Sequence, residues 1–223
     1  SEWGLSGNEL EGKLIAGNTF DHSRTHGEAI ASAGGYSFAS ASRSAVEADL
    51  VNLNEYHIAD LILGLQKNDG YSTKSYASLT PALCKTLQEF TRMRGNLLVS
   101  GAYVARDQRQ KENTDFLRHT LKVDAYMPVM LHADAQVAGM NTTLQLYSEL
   151  NERHYAVTHA DCLVPLSEAF STLLYSPANY SAAVAYPGKD YRTVTLGFPF
   201  ECIRYATDRD KIMQAFLSFL LAR

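Results

Sequence analysis

Short apolar runs alternate with amphipathic stretches through the first half of the chain. Apolar residues cluster at 13–16, 58–63 and 97–99, and turn-forming or small polar residues follow each run. Between these runs, residues 22–33 have the pattern of a helix. A second helix is predicted from Thr80-Pro81, because Thr is a good cap and Pro fits the first helical turn. Strands alternating with helices predict right-handed crossovers and a parallel sheet covered on both faces.

The second half is richer in predicted strands, and residues 36–41 of the first half alternate like one more strand. The chain ends in an apolar stripe at 207–221 that predicts a helix, where Thr207 and Asp210 resemble a capping box. We expect some of the later strands to extend the sheet and others to form antiparallel or edge additions. The whole pattern predicts one α/β domain over residues 1–223, with an irregular segment at 1–12. The predicted later strands are residues 129–132, 143–147, 155–158, 181–186 and 193–196.

Composition narrows the range of functions. The 223 residues include 20 Lys+Arg and 24 Asp+Glu, giving a net charge of −4, so a nucleic-acid partner is not expected. No apolar stretch is long enough to predict a membrane span. The three cysteines are widely spaced and indicate neither a disulfide framework nor a zinc ribbon. A start at Ser1 without a signal-peptide pattern suggests an excised domain or mature fragment of a longer parent chain.

Polar residues at strand ends are the candidates for a functional cleft, because open parallel sheets bind ligands at the carboxyl ends of their strands. Turn formation and helix capping explain each of these residues equally well when it is taken singly. The candidates for ligand binding are Asn18, Thr19, Ser40, Ser42 and Asp107. The candidates for catalysis are Asp21, His22, Ser100, Tyr103 and Glu201.

Four segments, in chain order, carry a resemblance to a known family: Gly17-Asn18-Thr19-Phe20-Asp21, Ser40-Ala41-Ser42, Leu97-Leu98-Val99-Ser100-Gly101-Ala102-Tyr103 and Leu196-Gly197-Phe198-Pro199-Phe200-Glu201. The chain from about residue 13 to residue 221 resembles a class I glutamine amidotransferase-like domain, of the type in secreted Bacteroidetes proteins labelled xanthan lyases or golvesin-domain proteins. The resemblance implies a flavodoxin-like three-layer α/β/α sandwich with a mostly parallel sheet. It also implies a secreted or periplasmic location, an acidic polysaccharide or oligosaccharide as ligand, and neighbouring domains in a parent chain.

The amidotransferase chemistry does not carry over with the resemblance. That family places a nucleophilic cysteine on a strand-to-helix turn, and the matching segment around Ser100 contains none. It also places a histidine two residues before a glutamate after a late strand, where this chain has Phe198-Pro199-Phe200-Glu201. Without a thiolate and an imidazole, glutamine hydrolysis lacks both nucleophile and base. We therefore do not expect this activity.

Other chemistries stay open at the same positions. Ser100 could act as a nucleophile if His22, His26 or His159 served as its base, or its hydroxyl could simply cap the following turn. Tyr103 could be the base of a uronic-acid lyase, or a half-buried aromatic residue. Asp21 and Glu201 could form the carboxylate pair of a glycoside hydrolase. A cluster of tyrosines could form a sugar-stacking platform or an interface: Tyr175, Tyr180, Tyr186 and Tyr191.

Three histidine clusters are candidate metal sites: Asp21-His22 with His26, His132-Ala133-Asp134, and His159-Ala160-Asp161-Cys162. None has a helical HExxH arrangement or paired cysteines, so no metal and no cofactor is expected.

Two functions follow as hypotheses. The first is a domain of a secreted polysaccharide-processing protein, a lyase or hydrolase of the xanthan-lyase type. The second is a catalytically degenerate domain that binds carbohydrate or peptide, or supports its neighbours. A catalytic cleft should contain a buried titratable pair with perturbed pKa values, whereas a degenerate one should use its polar residues in caps and turns.

Overall fold

The computed structural model describes residues 22–65, 78–110, 114–148 and 157–222. The helices in these ranges are α1 (His22–Ser32), α2 (Arg43–Glu47), α3 (Pro81–Arg92), α4 (Val104–Gln110) and α5 (Ala206–Leu221). The strands are β1 (Ile58–Gly64), β2 (Asn96–Gly101), β3 (Val123–Met130), β4 (Gln136–Gly139), β5 (Thr142–Gln145), β6 (His159–Pro165), β7 (Phe170–Ser176), β8 (Tyr180–Tyr186) and β9 (Thr193–Leu196). Short 3₁₀ turns at Leu53–Glu55 and Phe200–Cys202 and a π-helical segment at Phe116–Leu121 complete the regular structure of these ranges.

Seven strands form one mixed sheet in the order β1-β2-β9-β8-β7-β4-β5, and β3 pairs with β6 in a second, two-stranded sheet. Of the strand pairs described, β1 with β2 and β2 with β9 are parallel. The other four pairs of the large sheet are antiparallel, as is β3 with β6. The expectation of a mostly parallel, flavodoxin-like sandwich is therefore wrong.

The connections explain why antiparallel pairing prevails after β3. Met140 and Asn141, both with positive φ (50° and 58°), turn the chain between β4 and β5. A similarly short turn at 177–179 joins β7 to β8. Links this short can join only antiparallel neighbours, since a parallel pair needs a crossover of a dozen or more residues. In the first half, helix α3 supplies such a crossover between β1 and β2.

Strand β2 organises the parallel part of the molecule. Leu97 and Val99 belong to a buried cluster with residues of α3 and α4, whereas Leu98 belongs to a different cluster with residues of α1 and α5. Because side chains alternate across a strand, Ser100 lies on the same face as Leu98. Asp60 of β1 is aligned with Leu98 and shares that face. This face carries the candidate site.

Most predicted elements of the first half are confirmed: α1, β1, α3 and β2 all form near their expected positions. The strand expected at 36–41 is wrong, because these residues are exposed and take no regular structure. The capping box at the last helix is also wrong, since α5 begins at Ala206 and its N-cap, Tyr205, makes no side-chain capping bond. The strand predicted at 13–16, the segment 1–12 and residues 155–156 lie outside the described residues.

In the second half, β5, β8 and β9 form close to the expected strands. The strand expected at 129–132 is shifted, because β3 ends at Met130. Strands β4, β6 and β7 were not predicted. No helix in the described part of the chain is long and apolar enough to cross a membrane.

Candidate functional site

A buried histidine of α1 is the centre of the candidate site. His22, His26 and Ala29 all lie on the buried face of α1, as a spacing of four and three residues requires. The imidazole of His26 therefore points into the layer between α1 and the sheet. Its Nδ1 lies 2.7 Å from Oδ2 of Asp60 in β1, and its Nε2 lies 3.3 Å from Oε2 of Glu201. Three separate parts of the chain thus meet at one ring.

Glu201 comes from the 3₁₀ turn Phe200–Cys202, which follows β9. Its second carboxylate oxygen, Oε1, is 3.8 Å from Nδ1 of His22. The ring of Phe200 lies against the imidazole of His26, with centroids 4.6 Å apart and planes tilted by 58°. The structure therefore brings together two of the predicted residues, His22 and Glu201.

The electrostatics of this cluster favour a charged His26. Burial acts to lower the pKa of His26, but the charge of Asp60, its hydrogen bond and the same two interactions with Glu201 outweigh burial and raise the pKa to about 9. His26 is therefore an imidazolium at neutral pH, held between two carboxylates. With the residue only 1% exposed, this charge is removed from water and depends on its partners.

The contact between Glu201 and His26 changes how the segment after β9 compares with the amidotransferase motif. The segment Phe198-Pro199-Phe200-Glu201 lacks the histidine that the resemblance called for. In the folded protein, Glu201 nevertheless contacts a histidine, because α1 brings His26 to it from the other end of the chain. The carboxylate–imidazole contact is present, but its histidine has a second carboxylate, Asp60, on the other nitrogen.

The strand-to-helix turn after β2 holds the residue proposed as a nucleophile. Ser100 is fully buried, and its hydroxyl has no hydrogen-bond partner in the described structure. No histidine of the described ranges is hydrogen bonded to it. The turn itself, Ala102-Tyr103, leads directly into α4. Ser100 therefore lacks the activated geometry of a serine nucleophile.

The first amides of α4 are occupied by a carboxylate from β6. Oδ2 of Asp161 accepts hydrogen bonds from the backbone N–H groups of Ala105 (2.8 Å) and Arg106 (3.1 Å). Its Oδ1 lies 3.6 Å from Nε of Arg106, which is an ion-pair distance. Burial raises the pKa of Asp161 to about 6, although these amides and the Arg106 charge oppose the rise. Backbone amides at this position could bind an oxyanion, but here they are already satisfied.

Asp161 is fixed by its own backbone as well. Its N–H donates to the carbonyl of Gly197 (2.7 Å), and its carbonyl accepts from the hydroxyl of Tyr175 (3.1 Å). A Cβ added to Gly197 would lie only 2.2 Å from the Asp161 carbonyl oxygen, so this close approach of β6 to the end of β9 requires glycine. The carboxylate is thus held rigidly at the start of α4.

The remaining candidates of this region have local partners. The guanidinium of Arg106 lies 4.7 Å from the ring centroid of Tyr103. Asp107 is buried and accepts hydrogen bonds from both the N–H (3.2 Å) and the hydroxyl (3.0 Å) of Ser78. Ser42 caps α2 by accepting from the N–H of Ala45 (3.2 Å). These residues serve the local fold, as the capping alternative supposed.

Ser40 is exposed in the irregular segment before α2 and is not brought to the site. Asn18, Thr19 and Asp21 lie outside the described residues, so the proposed pairing of Asp21 with Glu201 stays a prediction. His132, Asp134 and His159 are exposed. In the described ranges, no group of three or more His, Cys, Asp or Glu side chains is arranged to hold a metal ion.

Two residues of the observed site, Asp60 and Asp161, are not among the site residues predicted from the sequence. Asp60 interrupts the apolar run of β1, and a lone carboxylate in such a run is a signal of a buried ion pair. Asp161 was considered only as part of a metal cluster, and no local pattern links it to α4, 55 residues earlier.

The cysteines offer no alternative nucleophile. Cys84, Cys162 and Cys202 are all buried and free. Burial raises the pKa of the Cys84 thiol to about 12 and also raises the pKa of Cys162. Because the thiolate is the reactive form, both thiols are unreactive at neutral pH.

Comparisons with known proteins identify a fold neighbour but no family. No family model and no curated protein matches the chain. The cytoplasmic protein STM1381 from Salmonella typhimurium LT2 is similar in structure, with a TM-score of 0.54, 11% identity and 86% of each chain covered. A likeness at this identity shows the fold alone.

Two weaker likenesses carry no argument. The cytoplasmic protein STM3548 from Salmonella typhimurium has a TM-score of 0.49 and 14% identity over 86% of this chain and 78% of that one. The exo-β-1,4-mannosidase Op5Man5 from Opitutaceae bacterium strain TAV5 has a TM-score of 0.49 and 9% identity over 78% of this chain and 27% of that one. The protein STM1381 is described as cytoplasmic, which points away from the expected secreted or periplasmic, xanthan-lyase-like protein.

Proposed function

We propose that this chain is a non-catalytic module that binds carbohydrate for a polysaccharide-processing protein. The observation that carries the proposal is the state of His26, whose two ring nitrogens are both engaged by carboxylates while the residue is 1% exposed. A general base needs a nitrogen free to accept a proton from substrate, and a charged imidazole between two carboxylates has none. His26 therefore acts as a structural cation that joins α1, β1 and the turn after β9.

The second support is the turn at the start of α4. A hydrolytic turn would need an activated nucleophile and amides open to a developing oxyanion. In the described residues, no histidine is hydrogen bonded to Ser100, and Asp161 occupies the amides of Ala105 and Arg106. The amides are thus committed to an internal contact and the hydroxyl is not activated, which favours the degenerate alternative over the enzyme.

The ligand class follows from the resemblance and remains part of the proposal. An acidic polysaccharide or oligosaccharide is the ligand the resemblance implies, with neighbouring domains of a parent chain supplying any catalysis. Exposed tyrosines on the described surface are suited to binding sugars, because an aromatic face offers apolar contact and the phenol hydroxyl offers a hydrogen bond.

One observation favours a lyase or hydrolase as the second candidate. A buried carboxylate–imidazole pair with a strongly shifted pKa is also what an acid–base catalyst uses, and Asp60 with His26 fits that description. In this alternative the His26 imidazolium would donate a proton to a leaving group. Glu201 would first have to move away from its Nε2.

Incubation of the wild-type protein with neutral and uronic-acid oligosaccharides separates the two candidates. We expect saturable binding by calorimetry and no new product by chromatography of the same mixtures. Product formation that is lost in a folded His26→Gln variant, but retained in His57→Gln, would establish the enzyme instead. His57 is a suitable control because its side chain is exposed, whereas the contacts of the buried His26 are made with Asp60, Glu201 and Phe200.

A further inference from the structure

Two tyrosines from different sheets lie side by side on the surface. Tyr126 of β3 is 59% exposed and Tyr180, the first residue of β8, is 39% exposed. Their ring centroids are 6.4 Å apart and their planes are tilted by 50°. Together they form an exposed, angled aromatic surface, which we call the tyrosine pair. Tyr180 belongs to the sequence cluster of tyrosines, but Tyr126 does not.

Tyr126 lies at an irregularity in the strand pairing. Ala125 pairs with Leu163 and Pro128 pairs with Asp161, so the two residues between them on β3 face the single residue Cys162 on β6. This is a β-bulge, a feature that bends a strand and that recurs beside functional sites. Because Ala125 is buried, strand alternation places the ring of Tyr126 on the outer face of β3.

Strand pairing and the preceding turn fix the backbone of Tyr180. Its strand partner is Tyr175, which is buried and donates its hydroxyl hydrogen bond to the Asp161 carbonyl. The turn between them is closed by the Asn179 N–H, which donates to the Tyr175 carbonyl at 2.7 Å. Asn179 is itself exposed and has a positive φ of 58°. Because this backbone is already ordered, placing Tyr180 against a ligand costs little backbone conformational entropy.

The size of the tyrosine pair suits a small ligand rather than a protein. A tyrosine offers roughly 150–250 Å², so the exposed fractions of 59% and 39% amount to about 200 Å². A standard protein interface buries about 800 Å² on each partner. The pair alone is therefore too small for a stable protein interface, but it can cover the face of a sugar.

The charge around the tyrosine pair indicates whether a neutral or an anionic sugar fits there. Asp124, two residues before Tyr126, is balanced by Arg118, with Nε and Oδ2 3.7 Å apart. The protein as a whole carries a net charge of −4. Asp124 and Arg118 cancel each other's charge, and the protein is acidic as a whole. This surface therefore does not attract an anionic ligand.

We propose that Tyr126 and Tyr180 form a stacking platform for the neutral faces of an oligosaccharide, with Asn179 beside it as a hydrogen-bonding partner for sugar hydroxyls. This inference rests on the proposed binding function. It assigns that function to a place on the surface, and it replaces the acidic sugar that the resemblance implies with a neutral one.

Calorimetric titration with a neutral β-1,4-linked glucose hexasaccharide and with a uronic-acid hexasaccharide tests the platform. We expect the wild-type protein to bind the neutral sugar more tightly. Tyr126→Ala and Tyr180→Ala should each weaken that binding roughly tenfold or more, as loss of a stacking ring does elsewhere. Tyr180→Phe should restore most of the affinity, since the ring carries the contact.

Tyr56→Ala is the matched control, because Tyr56 is 40% exposed on a different part of the surface and should leave binding unchanged. Thermal unfolding verifies that each variant is folded. Sugar binding that is insensitive to both tyrosine variants, preference for the uronic-acid sugar, or no sugar binding by the wild type would each overturn the platform. Concentration-dependent self-association that Tyr126→Ala abolishes would overturn it in favour of an interface between copies. The proposed function itself fails if the wild type binds neither sugar or converts either sugar to product, whereas sugar binding that survives both tyrosine variants overturns the platform alone.

Discussion

Two buried carboxylate sites of this protein are satisfied in opposite ways. At the α1 site, Asp60 and Glu201 share the imidazolium of His26, so charge is balanced by charge. At the α4 site, Asp161 is satisfied mainly by two backbone amides, with Arg106 at ion-pair distance. The first arrangement raises the pKa of a base and the second leaves the pKa of an acid raised. Ionic pairing thus outweighs burial at His26, whereas burial outweighs the amides and the Arg106 charge at Asp161.

The comparison also separates two structural roles. His26 joins elements that are distant in the chain, α1 and the turn after β9, through side chains alone. Asp161 joins β6 to α4 through backbone groups, in place of a local capping residue. Removing the centre of the first site takes the imidazolium away from two carboxylates, whereas removing the second takes the shared acceptor away from two backbone amides. The expected costs differ accordingly.

The largest effect is expected from His26→Ala. This variant leaves the buried carboxylate of Glu201 and the partly buried carboxylate of Asp60 without the imidazolium between them, and breaking a buried ion pair in this way costs about 3–5 kcal/mol of unfolding free energy. Urea unfolding of the purified variant measures the loss. The double variant with Asp60→Ala should lose less than the sum of the two single variants, because the residues interact directly. Additive losses, or a loss no larger than that of His57→Ala, would refute the ion-pair role.

The pH dependence of stability should show two separate windows. The pKa of His26 is raised from 6.5 to about 9, so its contribution is complete below pH 6.5 and is lost as pH rises through about 9. The pKa of the Asp161 carboxyl is raised from 3.8 to about 6, so the folded protein binds this proton more tightly than the unfolded chain does. The stability that this difference supplies is complete below pH 3.8 and is lost as pH rises through about 6. Unfolding free energies measured across both windows in wild type and in His26→Gln test the assignment. An alkaline loss that persists unchanged in His26→Gln would show that another group causes it.

A smaller effect is expected from Asp161→Ala. The amides of Ala105 and Arg106 lose their acceptor, which costs about 1–3 kcal/mol when the donors stay buried. Chemical unfolding measures the loss, and hydrogen exchange should show faster exchange at these two amides. Asp190→Ala, at an exposed acid, is the control. Unchanged exchange at residues 105 and 106 would mean that Asp161 does not cap α4.

The smallest effect is expected from Ser100→Ala. The buried hydroxyl of Ser100 has no hydrogen-bond partner, so its removal should be neutral or should stabilise the fold by up to about 1 kcal/mol. Ser78→Ala is the paired comparison, because Ser78 is equally buried but donates its hydroxyl to Asp107. We expect Ser78→Ala to destabilise the fold and Ser100→Ala not to. A clear destabilisation by Ser100→Ala would reveal a partner for its hydroxyl.

The sequence predicted the parallel part of the molecule better than the antiparallel part. Elements α1, β1, α3 and β2 have clear periodicity and recognisable ends, such as the Thr80 cap, which accepts from the N–H of Leu83 at 3.1 Å. The direction of later strands depended on turns whose residues, such as Met140 with its positive φ, do not match the usual turn sequences. Strand order and direction are therefore the features that local patterns left open.

The candidate site was partly predictable for a related reason. The choice of His22 and Glu201 followed from their positions at element ends, and the fold does bring them to 3.8 Å. Asp60 contacts His26 across 34 residues, and Asp161 contacts α4 across 55 or 56, so no spacing rule connects these partners. A carboxylate within an apolar strand is the sequence feature by which Asp60 could have been found, although it was not among the predicted site residues.

The protonation state of His26 tests the central claim most directly. Nitrogen NMR of the ¹⁵N-labelled wild-type protein, with the His26 signals assigned by their loss in His26→Gln, reports the ring nitrogens as a function of pH. The account predicts that both nitrogens of His26 stay protonated at neutral pH and that the ring titrates near about 9. Titration near the ordinary value of 6.5, or a neutral ring at pH 7, would contradict a structural imidazolium held between Asp60 and Glu201.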